Sequence, residues 1–170
     1  HFARPDDELA RALAEDRIQR NFMGYTVMPA ADQVGVGVTA IGDVAGSYAA
    51  NIKKLPAYKR SIDAGRLPVD RGLIRTAEDE LRRAVIHRII CTLQLDFGWV
   101  EREFDIDPRE HFADALAQLQ PMAADRLVEL ADDGLAVTPT GRFFLRNICM
   151  PFDAYLRAAD DDGPKYSRTV

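Results

Sequence analysis

His87 and Cys91 stand four residues apart, the spacing at which two side chains on successive helical turns can hold one metal ion. A zinc site needs further ligands. His1, His111 and Cys149 complete the histidines and cysteines and are scattered along the chain, so a solvent-facing histidine beside a partly buried thiol is the alternative. The segment Gly35-Val-Gly37-Val-Thr-Ala40 fits a loose dinucleotide fingerprint, with Asp63 at about the distance of the acid that would meet a ribose. That loop should follow a buried strand and open a helix. Pro29 and Asp32 before it and Gly42 after it suit better a strand running close to another backbone or a ligand. Arg82 falls on the apolar stripe of a helix, where a guanidinium could grip a ligand carboxylate, snorkel past the helix end or meet an acidic neighbour. No Ser/His/Asp constellation, P-loop or C-x-x-C motif can be assembled.

The elements that would position these groups follow from spacing and punctuation. Pro5 with Asp6, Asp7 and Glu8 opens a helix, and Leu9, Leu13 and Ile18 give it a thin apolar stripe to about Arg20. Tyr25 to Met28 and Val34 to Ile41 read as strands, Ser47 to Arg60 as a helical segment interrupted by Pro56, and Gly65 to Gly72 as an extended linker. Thr76, three residues before Asp79, opens the strongest helix. Leu81, Val85, Ile86, Ile89, Ile90 and Leu93 line one face of it, with Arg83 and His87 pointing away.

A short helix is expected over Phe97 to Phe104 and another over Pro108 to Gln118. A β-hairpin is expected from Leu127 to Thr138, with Gly134 supplying a positive φ. Thr138 and Pro139 then start a last long helix carrying Phe144, Leu145, Ile148, Phe152, Tyr155 and Leu156, and the residues after Ala159 read as a solvated tail. Three helices, a hairpin and a closing helix resemble a winged-helix arrangement. The expected class is therefore α+β and mainly α. Were the helix from Pro108 to read a DNA groove, it would present Arg109 and His111 beside Glu110 and Asp114, a balance that phosphate would repel.

At 170 residues the chain has room for one full core, or for a small domain plus a piece of a neighbour. Its composition, 47% hydrophobic and 29% charged, is that of a soluble globular protein, and its net charge of −5 disfavours a dedicated nucleic-acid binder. Apolar runs are far shorter than the roughly 20 residues that span a bilayer. Two cysteines cannot build a disulfide framework, so a cytoplasmic location with both thiols reduced is expected. The start at His1, without an initiator Met, reads as the middle of something longer.

Several blocks, taken in order, carry a more specific signal. They are His1 to Leu9, Arg20-Asn-Phe-Met-Gly-Tyr-Thr26, Gly35-Val-Gly-Val-Thr-Ala-Ile-Gly42, Tyr48 to Asn51, Gly65 to Pro68, Arg71-Gly72 and Ile90 to Phe97. Towards the end come Thr138 to Arg142, Arg146-Asn-Ile-Cys-Met150, Phe152 to Leu156 and Tyr166 to Val170. Over essentially its whole length the chain resembles the C-terminal region of oxygen-independent coproporphyrinogen III oxidases, radical adenosylmethionine enzymes of haem biosynthesis.

The resemblance implies a two-part enzyme. A partial (β/α) barrel would hold a 4Fe-4S cluster and S-adenosyl-L-methionine, with residues 1–46 as its last elements. Residues 47–170 would be a helical, winged-helix-like cover with a small β-hairpin. The implied reaction turns two propionates of coproporphyrinogen III into vinyl groups, giving protoporphyrinogen IX, and a 5′-deoxyadenosyl radical begins it. Phe22, Met23 and Ile41 match family positions that approach adenosylmethionine, although Met23 stands where better-known members carry Gln. Pro151 also departs from the commoner form of the Asn-Ile-Cys-Met motif and should kink the last helix.

The family's cluster is held by C-x-x-x-C-x-x-C, which Cys91 and Cys149 do not form. This chain alone is therefore expected to hold no metal, no catalytic residue and no stably bound cofactor. Its implied partners are the missing N-terminal catalytic region and a porphyrinogen substrate, with neither nucleic acid nor membrane. The alternative is a non-enzymatic winged-helix module that binds protein or nucleic acid.

Overall fold

The computed structural model describes residues 3–28 and 32–158. The expected solvated tail after Ala159, and the resemblance blocks at residues 1–2 and 166–170, lie outside them. The chain forms two compact units. Of the described residues, one comprises 3–20, 25–27 and 81–158, the other 21–24, 28 and 32–80. A short two-stranded sheet, β1 (Gln19–Asn21) and β2 (Gly24–Thr26), includes residues assigned to each.

The larger unit is organised by α3 (Ala77–Thr92). The helix starts where the sequence says it should, because Thr76 and Asp79 cap each other. The Asp79 N–H donates to the Thr76 hydroxyl at 3.2 Å, and the Thr76 N–H donates to the Asp79 carboxylate at 2.8 Å. Leu81, Val85 and Ile89 are buried along one stripe, with Ile86, Ile90 and Leu93 packed against the same core. Beyond α3 come β6 (Gln94–Asp96), α4 (Phe97–Phe104), α5 (Pro108–His111) and α6 (Ala113–Ala124). The strands β7 (Val128–Ala131) and β8 (Gly134–Val137) complete a three-stranded antiparallel sheet of order β6-β8-β7.

Asp96 and Asp107 cap α4 and α5 through their carboxylates, each accepting from a backbone N–H of the first turn. Phe112 and Phe152 meet edge to face at the centre of the core, 5.4 Å between ring centroids. A second, smaller cluster gathers Ala12 of α1 (Glu8–Ala14), Ile18 and Cys91, with Leu9, Tyr25 and Val27 against them.

The smaller unit is a sheet with one helix. Strands β3 (Ile41–Val44), β4 (Ser47–Asn51) and β5 (Val69–Ile74) lie antiparallel in the order β3-β4-β5, and α2 (Leu55–Asp63) follows β4. Val44 pairs with Ser47 across the two-residue turn Ala45-Gly46, where both residues have positive φ. That is the backbone a tight right-twisting hairpin requires. Among the described residues, both hydrophobic clusters fall in the larger unit.

Several expectations need correction. Ser47 to Asn51 is a strand, not helix, because its backbone groups pair on both sides with β3 and β5, and Pro56 sits in the first turn of α2 rather than interrupting it. The strand expected at Val34 to Ile41 begins only at Ile41, and residues before it contribute an isolated bridge between Gln33 and Asp43. The second half of the expected linker Gly65 to Gly72 is strand, the start of β5. Pro108 to Gln118 is split at Phe112 into α5 and α6, and α6 runs on through Pro121.

Gly134 has no positive φ. It is needed because a Cβ there would lie 2.2 Å from the Leu95 carbonyl oxygen across the sheet. The last long helix is instead a succession of short pieces: a 3-10 turn at Gly141–Phe144, α7 (Leu145–Cys149), a second 3-10 turn at Met150–Phe152 and α8 (Ala154–Ala158). The break after Cys149 coincides with Pro151, whose ring nitrogen has no hydrogen to donate.

Candidate functional site

The smaller unit carries the three residues expected to face a cofactor. Phe22 and Met23 occupy the turn between β1 and β2, which Asn21 fixes by accepting with its side-chain oxygen from the N–H groups of Met23 (2.8 Å) and Gly24 (3.2 Å). Gly24 has φ 134°, a backbone that only glycine takes readily. Met23 is 84% exposed, Phe22 51% and Ile41 38%.

Strand register puts Phe22 and Ile41 on the same side of the sheet. Ile41 and Asp43 alternate along β3 and so share a face, and across the ladder they oppose Ala50 and Tyr48. The Tyr48 ring therefore lies on the Ile41 face, and Phe22 packs against it edge to face with centroids 5.4 Å apart. Met23 adjoins Phe22 in the turn.

Behind Tyr48 stands a charged support. The Arg75 guanidinium lies 4.5 Å from the Tyr48 ring centroid, and it donates to Asp43 at 2.5 Å and to Glu80 at 2.6 Å. Its side chain is only 7% exposed. Burial opposes its charge, but hydrogen bonds to Glu80 and Asp43 outweigh that, and its pKa is raised. On the far side of the glycine-rich segment, Asn51 is buried and its amide donates to the carbonyls of Gly35 (3.0 Å) and Gly37 (2.9 Å). These bonds hold the loop that leads into Ile41.

The dinucleotide reading of that loop fails on geometry, since Gly35 to Ala40 opens an antiparallel strand and no helix follows it. The glycine at position 35 serves close approach: a Cβ would sit 2.8 Å from the backbone carbon of Ile41. Tyr48 and Asn51 were visible only as the two ends of a resemblance block, and Arg75 gave no signal. The Asp43 partner of Arg75 is 32 residues away in sequence and the glycine partners of Asn51 are 14 and 16 away, relations that no local spacing encodes.

In the larger unit, His87 and Cys91 do come together, with 3.7 Å between Sγ and Nε2. His87 does not point away from its surroundings: its Nε2 accepts the Arg20 backbone N–H at 3.3 Å. Burial, then the nearby Arg83 charge, lower its pKa. Burial raises the Cys91 thiol to about 11. Among the described residues no group of three or more His, Cys, Asp or Glu side chains gathers as a metal site would require. Arg82 donates to the Phe152 carbonyl at 3.0 Å and lies over the Phe112 ring, so it ties the last segment to the core.

Residues 76–144 match the HemN C-terminal domain. The chain is 45% identical to the oxygen-independent coproporphyrinogen III oxidase of Salmonella typhimurium over 92% of its own length and 34% of that protein's. With the enzyme of the same name from Pseudomonas aeruginosa it shares 42% identity over its full length and 36% of the relative, and with that of Thermostichus vulcanus 43%, covering 52% of it. In three dimensions it matches the coproporphyrinogen III oxidase of Escherichia coli, described as a radical SAM enzyme, with a TM-score of 0.86 at 43% identity. That match covers 91% of this chain and 36% of that one.

The chain belongs to the oxygen-independent coproporphyrinogen III oxidase family, of which it is C-terminal sequence. It spans 34% of the length of the first curated relatives it matches. The blocks quoted above from Arg20 to Leu156 fall within this coproporphyrinogen oxidase region, and its α+β character agrees with the observed small sheets and eight α-helices among the described residues. Among those residues no helix is long and apolar enough to cross a membrane.

Proposed function

We propose that this chain is the C-terminal part of a cytoplasmic coproporphyrinogen III oxidase that converts two propionate side chains of coproporphyrinogen III to vinyl groups without oxygen. Each conversion removes one carboxyl carbon as CO2, two electrons and one proton from the –CH2CH2COO− side chain, leaving –CH=CH2. A 4Fe-4S cluster and adenosylmethionine, when held by the preceding region, would supply the radical chemistry that begins this oxidation. The division is one of role. Residues 1–46 complete the catalytic region, and 47–170 form a winged-helix-like cover, although strand pairing such as Val44 with Ser47 runs across that line.

The observation that carries this reading is the placement of Phe22 and Ile41. Both are partly exposed on one face of the β3-β4-β5 sheet, and an apolar, aromatic surface suits the flat adenine and the ribose of adenosylmethionine. The residues present fit the organic cofactor. They do not fit the cluster: the chain has two cysteines where three thiolates are needed, and burial raises both thiols. Phe22 would stack on the cofactor, Ile41 would pack against it, and Met23 adds apolar surface where a polar contact is lost.

The test compares the full-length protein with this chain after anaerobic iron and sulfide reconstitution. The full-length protein should carry C-x-x-x-C-x-x-C upstream, show cluster absorbance and form protoporphyrinogen IX. The chain alone should show no cluster absorbance. A full-length protein lacking the motif, or a chain that alone cleaves adenosylmethionine, would refute the proposal.

A further inference from the structure

We infer that Tyr48 is a positioning residue for adenosylmethionine, acting through Phe22 and itself held by the Arg75–Asp43–Glu80 ion-pair cluster. The inference rests on the reading of Phe22 as a cofactor-facing surface.

Phe22 lies in a tight turn and is half exposed. A stacking surface free to rotate would lose conformational freedom on binding and weaken the contact. The edge-to-face contact with Tyr48 supplies the missing constraint, since such pairs favour one ring orientation. Tyr48 in turn is anchored on β4, opposite Asp43 in the ladder. Arg75 covers its ring and is bonded to two carboxylates, one on β3 and one in the first turns of α3.

Three separate stretches of chain thus converge to hold one exposed aromatic ring. A surface phenylalanine with no ligand has no need of such a support. The ring of Tyr48 carries the role, because it is the ring that meets both Phe22 and Arg75.

The experiment is a double-mutant cycle in the full-length, cluster-loaded enzyme, read as the dissociation constant for adenosylmethionine by anaerobic equilibrium dialysis. Phe22→Ala and Tyr48→Leu should each raise the constant by up to about tenfold, the scale of one aromatic contact. The double variant should be no weaker than Phe22→Ala alone, within about twofold, and Tyr48→Phe should bind as the parent does. Iron content and thermal midpoint are followed in parallel. Arg75→Met, which takes the guanidinium off the Tyr48 ring, should weaken binding in the parent but not in the Phe22→Ala background.

Additive losses in the double variant, or weak binding by Tyr48→Phe, would overturn the role of Tyr48 while leaving Phe22 in place. An unchanged constant for Phe22→Ala would instead remove the cofactor-facing reading itself, and this inference with it.

Discussion

Cys91 and Cys149 are the two thiols of the chain, and both are buried. Burial pushes Cys91 up to about 11 and Cys149 up to about 12, with the Arg20 guanidinium acting more weakly in the opposite direction on each. A raised pKa in the folded state means that the native fold favours the protonated thiol. The contribution to stability is complete below the ordinary thiol value of 9.0 and is lost as pH climbs towards 11 and 12. We expect the urea midpoint to fall between pH 9 and pH 11 more steeply in the parent chain than in Cys149→Ala, whatever the two values are at pH 8. Alkylation by iodoacetamide at pH 8 should proceed only as fast as the fold opens. Rapid labelling under native conditions would show that the thiols are accessible after all.

The short pieces after β8 are fixed by contacts that leave no room for a side chain. A Cβ at Gly141 would fall 1.8 Å from the Leu127 carbonyl oxygen, where the chain turns under Thr138. The Thr138 hydroxyl donates to the carbonyls of Arg126 and Leu127 and accepts the Gly141 N–H. Gly141→Ala should therefore cost roughly 3 kcal/mol, the upper end for overpacking, and chemical denaturation would measure it. A cost below roughly 0.5 kcal/mol, the level of a neutral surface change, would mean that this turn opens without consequence.

At this scale the sequence was partly legible. The start of α3 and the whole of α4 could be read because their caps and apolar spacing are local. The hairpin of β7 and β8 could be read from its turn. The strand at Ser47 to Asn51 could not, since Ser-Tyr-Ala-Ala-Asn has no strong preference of its own and becomes a strand by pairing on both edges. The helix break around Gly141 was hidden by apolar residues that keep helical spacing across it, whereas Pro151 announced its own. For the candidate site, Phe22, Met23 and Ile41 were reached through resemblance, whereas Tyr48, Arg75 and Asn51 depend on partners that only the folded chain brings near.

Taken as a whole, the molecule buries its apolar side chains unevenly. Val85, Ile89, Phe112 and Phe152 are fully enclosed in the larger unit, while every residue of β5 is exposed. Local opening free energies should follow that contrast. In the chain alone, the amides of Val69 to Ile74 should exchange with deuterium on the order of 100-fold faster than those of Val85 and Ile89. Equal protection would mean that something further covers the β5 strand under those conditions.

The division of residues between the units also constrains what can be made from this molecule. The polypeptide leaves the larger unit at residue 21, re-enters it at 25, leaves again at 28 and returns at 81. The final return falls inside α3, a continuous helix that offers no linker to cut. No single pair of endpoints therefore excises either unit whole. A chimera that exchanges part of this chain must therefore carry both units together, because exchange of a shorter interval would sever strands from their partners.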